Sequence, residues 1–148
     1  MKKFVCIVPL LIAALTACGH HDDHGDHEHA THDAGHADGD GHGLTLNGSC
    51  KWRMDEHTRA LFTTMTTRLR GLDLKSENIA SLRASGDALR GDIDVLIRGC
   101  TMQGDAHGEL HKFLTMHILA VEAMAASGAA ASSEKVYELL EMYPQYFE

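Results

Sequence analysis

Residues 79–100 read IASLRASGDALRGDIDVLIRGC, and their apolar side chains recur at the spacing of one helix face. Steps of three and four separate Ile79, Leu82, Gly86, Leu89, Ile93 and Leu96, and the next step of four falls on Cys100. Such a stripe buries one side of an amphipathic helix against a neighbouring element. The sequence therefore predicts a long second helix whose buried face continues to a thiol.

Three further segments show helical spacing. The first runs from about Trp52 to Leu69, with an apolar face through Met54, Leu61 and Met65. The third begins near Asp105, and the fourth begins at Ser132 or Ser133. Their core stripes are Leu110, Leu114, His117, Val121 and Met124 in the third, and Val136, Leu139, Leu140 and Tyr143 in the fourth. Four helices with short connections predict an all-α fold, a small antiparallel up-down four-helix bundle over residues 48–148.

This topology would gather metal-binding side chains at one end of the bundle. Helices one and three would begin at the end where helix two finishes, so three separate segments meet there. The side chains concerned are Cys50, Met54, His57, Cys100, Met102, His107 and His111. Thiol, thioether and imidazole are ligands that suit copper or zinc. We therefore predict a site for Cu(I), Cu(II) or Zn(II) formed by Cys100, Met102, His107 and His111, with His57 and Met54 as further candidates.

Several of these residues also have a purely structural interpretation. Met54 and Met102 could fill gaps in the core, and His57 could be a half-exposed helix residue. His117 lies ten residues beyond His107, too far along the helix to join the site. We expect His117 to be a core histidine whose ring is satisfied by a neighbour.

Cys50 and Cys100 have a second alternative. In an exported protein, two thiols at the same end of a bundle could form a disulfide. That bridge would close a loop of about fifty residues and stabilise the domain by a few kcal/mol. It would also remove Cys100 as a ligand, and spacing alone does not decide between the two.

The first eighteen residues have the pattern of an export signal. Lys2 and Lys3 precede an apolar run from Val5 to Leu15, which is too short to span a bilayer. The sequence Leu-Thr-Ala-Cys at 15–18 then resembles a bacterial lipobox. We expect a lipoprotein signal peptide over 1–17 and lipidation at Cys18. Since Gly19 is not an inner-membrane retention residue, we expect the protein in the cell envelope, anchored to the outer membrane and facing the periplasm.

A histidine-rich tract follows the lipobox. Residues 20–43 read HHDDHGDHEHATHDAGHADGDGHG and contain no large apolar side chain, so we expect residues 18–47 to be disordered. Imidazole and carboxylate at such spacing make a flexible, unselective chelator of transition metals. The alternatives are a plain spacer and a pH-responsive tail. The predicted low-affinity ligands are His20, His21, His24, His27, His29, His32, His36 and His42.

Composition and the motifs of the sequence limit the classes of function that the protein can have. A formal charge of -8 in 148 residues argues against nucleic acid as a partner. No catalytic nucleophile motif or phosphate-binding loop is present, so we expect no enzyme and assign no catalytic residue. The leading hypothesis is a metal-binding envelope lipoprotein for buffering, sequestration or delivery to an efflux or uptake system. The alternatives are a haem-binding or electron-transfer bundle, and a structural lipoprotein in which only the tract binds metal.

The stretch Cys-Thr-Met-x-Gly-x-x-His-x-x-Leu-His at residues 100–111 also carries a family resemblance. With Lys51-Trp52 and Asp55-Glu56-His57 before it, the stretch resembles a group of small exported bacterial proteins that have this motif in a helical domain and often a His-rich leader. The resemblance covers about residues 44–148. It implies a heavy-metal-associated role but no established activity. Position 50 is not a cysteine in that pattern, which favours Cys100 as a ligand over the disulfide.

Overall fold

The computed structural model describes residues 42–74 and 77–148, and there it is all-helical. Its four helices are α1 (Glu56–Arg70), α2 (Ile79–Gly99), α3 (Gly104–Ser127) and α4 (Ala130–Tyr146). No helix of this described part is long and apolar enough to cross a membrane. The predicted signal peptide, the lipidation site at Cys18 and every tract histidine except His42 lie outside the described residues.

Local capping chemistry sets the helix ends. The Asp55 carboxylate accepts a hydrogen bond from the Thr58 backbone N–H at 2.7 Å, so α1 begins at Glu56 rather than near Trp52 as predicted. Asn78 caps α2 in the same way through the Ser81 N–H. Gly128 ends α3 in the left-handed conformation, with φ of 62°.

The predicted stripe of α2 is buried against α3, except at its first residue. Leu82, Gly86, Leu89, Ile93 and Leu96 are buried. The prediction was wrong for Ile79, which is 61% exposed. At that end α3 stops at Ser127, and Ile79 lies against the Gly128 turn rather than against another turn of helix.

An aromatic cluster forms the core between α1, α3 and α4. The Phe62 ring stacks on Tyr143 with centroids 3.8 Å apart, and Phe113 meets Phe62 edge-on at 5.5 Å. His117 is fully buried, and its ring is stacked on Phe113 at a centroid distance of 5.6 Å. The prediction that His117 is buried is confirmed, but the prediction that a neighbour satisfies its ring is wrong for this structure. Among the described residues neither of its ring nitrogens has a partner, because the surrounding rings offer none.

The segment before α1, residues 42–55, is called the lead-in here, and backbone hydrogen bonds hold it against the domain. Trp52 N–H donates to the Tyr146 carbonyl at 2.7 Å, and Glu148 N–H donates to the Trp52 carbonyl at 2.9 Å. Met54 N–H donates to the Glu148 carbonyl at 2.8 Å. Leu44, upstream of this ladder, is buried in the core. The lead-in therefore lies beside the end of α4.

Candidate metal centre

A pocket of about 370 Å³ opens between the last turn of α2 and the first half of α3. Cys100, His107 and His111 lie on its wall together with Thr115. The rest of the lining is apolar: Leu96, Ile97, Leu110, Leu114 and Ile118. The structure thus brings together three of the six ligands predicted for the main site.

His107 and His111 form the central pair of the pocket. The helical spacing of four stacks them on consecutive turns of α3, and their Nε2 atoms are 2.8 Å apart. At that distance the two Nε2 atoms form a hydrogen bond when one ring carries its proton on Nε2 and the other carries it on Nδ1. A metal ion bound to both Nε2 atoms would take the place of that shared proton.

The separation of the two nitrogens is close to that of a chelate. With metal–nitrogen bonds of about 2.0–2.1 Å, two imidazoles on one ion stand about 2.9 Å apart at a right angle and about 3.3 Å apart at the tetrahedral angle. The observed 2.8 Å therefore needs only a small opening of the rings. His107 is half-buried and His111 is exposed, so the pair is accessible from solvent.

Cys100 is the sulfur ligand candidate in the pocket. It follows α2 in an extended conformation, with φ of -68° and ψ of 123°, and it is a free, half-buried thiol. The predicted alternative of a Cys50–Cys100 disulfide is therefore wrong for this structure. Cys50 belongs to the lead-in turn, where its backbone pairs with Asn47, whereas Cys100 lines the pocket between α2 and α3.

The thiol is not yet in position to complete a three-ligand site. Within residues 42–74 and 77–148, no three His, Cys, Asp or Glu side chains are close enough together to hold a metal ion. The pair is ready for chelation, and Cys100 shares its pocket at a greater distance. Bringing the sulfur to the pair would require the Cys100–Gln103 link to move.

The other predicted ligands lie outside the pocket. Met54 is buried in the core, at 5% exposure. Met102 faces α1, where its sulfur accepts a hydrogen bond from the Thr58 hydroxyl at 3.8 Å. His57 packs against Gly99, with its Nε2 atom 3.2 Å from the Val95 carbonyl oxygen. Met102 therefore lies against α1, and His57 of α1 lies against the last turns of α2.

A buried carboxylate that sequence reasoning missed lies on another face of the same turns of α3. Glu109 is only 4% exposed. It accepts hydrogen bonds from the Thr45 backbone N–H and from Lys112 Nζ, the latter at 2.7 Å. Glu109 thereby fastens the lead-in to the part of α3 that carries the histidine pair. No sequence signal pointed to its contact with Thr45, which lies 64 residues away.

A second cavity, of about 390 Å³, lies between α1 and α4. Its wall includes Arg59, Phe62 and Tyr143, and no cysteine or histidine of the described part of the chain lines it. Burial raises the pKa of Tyr143, and the nearby Arg59 opposes that shift only in part. The Tyr143 hydroxyl is buried without a hydrogen-bond partner among the described residues. This cavity lacks the donors that a transition metal prefers.

No protein-family model, curated protein or solved structure matches the chain. The resemblance of the 100–111 motif to small exported metal-associated proteins therefore stays a prediction.

Proposed function

We propose that this protein binds a transition metal, copper or zinc, at the His107–His111 pair. The observation that carries the proposal is the 2.8 Å separation of the two Nε2 atoms at the mouth of a pocket that also contains a free thiol. Imidazole nitrogen and thiol sulfur are the donors that these metals prefer. The role would be that of a binding protein and not of an enzyme.

The sequence features extend this proposal to a wider biological role. The leader and the lipobox at 15–18 support a lipid-anchored protein of the cell envelope, at the outer membrane and facing the periplasm. The histidine-rich tract, residues 20–43, would collect ions weakly, and the pair would hold one more tightly. The expected disorder does not extend to Leu44 and Thr45, which are held on the domain. Buffering, sequestration and delivery to an efflux or uptake system all fit such a protein.

The proposed arrangement of the helices is the antiparallel up-down bundle. Its support comes from contacts at the two ends of α2. Gly86, early in α2, packs on Ala125, late in α3. Leu96 and Ile97, near the end of α2, face Leu110 in the first half of α3.

A metal titration tests the function without shortening the chain. The eight tract histidines are replaced by asparagine, so that the full chain keeps its length but loses the background of weak sites. Cu(I) and Zn(II) are then competed against chromophoric chelators of known affinity. We expect one ion per chain, with affinity at least ten-fold lower in His107→Ala and in His111→Ala.

The matched control is His57→Ala. His57 is also a helical histidine near the α2–α3 connection, but it lies outside the pocket. Its loss should leave affinity unchanged. Binding that is unaffected by both pocket variants, or no binding in competition with the chelators, would contradict the proposal.

A further inference from the structure

The pocket offers a metal ion few donors beyond the histidine pair. Among the described residues, Thr115 is the only other oxygen-bearing side chain on its wall, and its hydroxyl donates to the His111 carbonyl at 2.9 Å. No carboxylate of residues 42–74 and 77–148 lines the pocket, and Glu109 of the same helix is engaged with Thr45 and Lys112 elsewhere. The complete donor set is therefore two imidazole nitrogens and one thiol sulfur.

We infer that the ion bound here is Cu(I), held by His107, His111 and the thiolate of Cys100 in a three-coordinate site. This inference rests on the proposed function and adds the identity of the ion and a third ligand. Three soft or borderline donors suit Cu(I), whereas Zn(II) in proteins is almost always four-coordinate. A fourth ligand for Zn(II) would have to be water in a largely apolar pocket.

Charge balance also favours the monovalent ion. When Cu(I) binds, the Cys100 thiol gives its proton to solvent, and the cation and thiolate together are neutral. The two imidazoles are neutral as well, so the loaded site has no net charge. Zn(II) with the same three ligands leaves one positive charge beside Leu96, Leu110 and Leu114, with no carboxylate on the wall to offset it. An uncompensated charge against apolar side chains is unfavourable.

The geometry gives an order to binding. The histidine nitrogens already stand 2.8 Å apart, while Cys100 is outside any three-ligand group of the described residues. The pair therefore binds first, and the sulfur closes on the ion afterwards through the non-helical connection between Gly99 and Gly104. Zn(II) is held more weakly by the same three donors, because it keeps a net charge and lacks a fourth protein ligand, so at one equivalent it protects the thiol less.

Alkylation of Cys100 reports this closure directly. The full chain is treated with iodoacetamide under anaerobic conditions, with no metal, with one equivalent of Cu(I) supplied as its acetonitrile complex, or with one equivalent of Zn(II). Trypsin then releases the peptide 99–112, which contains a single cysteine, and mass spectrometry gives its rate of modification. We expect Cu(I) to slow alkylation at least ten-fold and Zn(II) to slow it less than two-fold.

The His107→Ala/His111→Ala double variant is the matched control, with its folding checked by circular dichroism. It should lose the protection by Cu(I), since the thiol alone does not hold the ion against the tract. Equal protection by both metals, or protection that survives in the double variant, would overturn the inference. So would no protection by Cu(I) while the pair still binds metal in the chelator competition, and in that case the proposed function would stand. Failure of the chelator competition itself would instead remove the proposed function.

Discussion

Gly86 of α2 lies so close to Ala125 of α3 that a β-carbon at position 86 would stand 2.6 Å from the Ala125 backbone nitrogen. Backbone atoms cannot move aside as a side-chain tip can, so the two helices would have to separate. We expect Gly86→Ala to lower the free energy of unfolding by about 1–3 kcal/mol, the usual cost of overpacking. Urea denaturation measures this change.

Gly91→Ala in the same helix is the control for Gly86→Ala. A β-carbon at Gly91 meets nothing within 4 Å, and the residue is exposed. Alanine there should raise the free energy of unfolding by about 0.5–1 kcal/mol, because it removes the entropy cost of glycine in a helix. If both variants were stabilised alike, α2 and α3 would be further apart than the structure has them.

His117 should make the protein sensitive to acid. Burial lowers its pKa from 6.5 to about 4. Between pH 6.5 and pH 4 the His117 ring is protonated in the unfolded chain but neutral in the folded protein. The free energy of unfolding therefore falls as the pH falls. The loss reaches about 3 kcal/mol near pH 4, at about 1.4 kcal/mol per unit of pKa difference.

His117→Leu tests this origin of acid sensitivity. Leucine has a similar volume and needs no hydrogen bond, so we expect it to stabilise the protein by about 1–2 kcal/mol at pH 7. The gain should grow as the pH is lowered from 6.5 to 4. Urea midpoints at a series of pH values give the difference between the two proteins, in which other titrating groups cancel. A variant that is less stable at pH 7 would mean that the ring has a polar partner in solution.

The Glu109 carboxylate should hold the lead-in on α3. Removing its side chain in Glu109→Ala leaves the Thr45 N–H without its acceptor, so we expect a loss of about 1–3 kcal/mol. Hydrogen exchange at the Thr45 amide should become faster. Lys112→Ala is the control, because it removes the ion pair with Glu109 but keeps the hydrogen bond to Thr45. Since the Lys112 side chain is half-exposed, this variant should lower the free energy of unfolding by less than about 1 kcal/mol. Unchanged exchange at Thr45 in Glu109→Ala would contradict this role.

The Asp55 cap should contribute more at neutral pH than in acid. Partial burial acts to raise the pKa of Asp55, but hydrogen bonds from Thr58, the nearby His57 and a bond from Thr101 together lower it. The folded state thus favours the carboxylate. The stabilisation is present above the pKa of an unfolded aspartate and is lost as the pH falls through the lower folded value.

Two substitutions separate the contribution of the Asp55 capping hydrogen bond from that of its negative charge. Asp55→Ala removes both and should cost about 1 kcal/mol at pH 7. Asp55→Asn keeps a capping oxygen and should cost less, with a weaker dependence on pH below about 4. Thermal denaturation at pH 7 and pH 3 compares the three proteins. Equal losses at both pH values would argue against the carboxylate as the source.

Periodicity predicted which face of a helix is buried better than it predicted what that face contacts. The α3 stripe and the α4 stripe are buried as expected, because every turn along them has a neighbour. In α1 the pattern selected Leu61, which is half-buried, and missed Phe62, which is buried. Phe62 is fixed by Phe113 and Tyr143, partners far away in sequence.

The site was predictable in part for the same reason. The His107–His111 pair follows from helix geometry alone, and Cys100 follows from the continuation of the α2 stripe. Met102 was misplaced because it leaves α2 on an irregular connection, where spacing does not say which way a side chain turns. The hydrogen bond from Thr45 to Glu109 joins residues 64 positions apart, so no short sequence pattern predicts it.

The pairing of residues 52–54 with residues 146–148 also decides how the domain would bear a mechanical load. A protein tethered through its upstream segment would be pulled along the lead-in. The backbone bonds of Trp52 and Met54 to Tyr146 and Glu148 run across this parallel pair. They would therefore be loaded together in shear instead of opening one after another, and α1 would not be peeled from the domain by tension on the upstream segment.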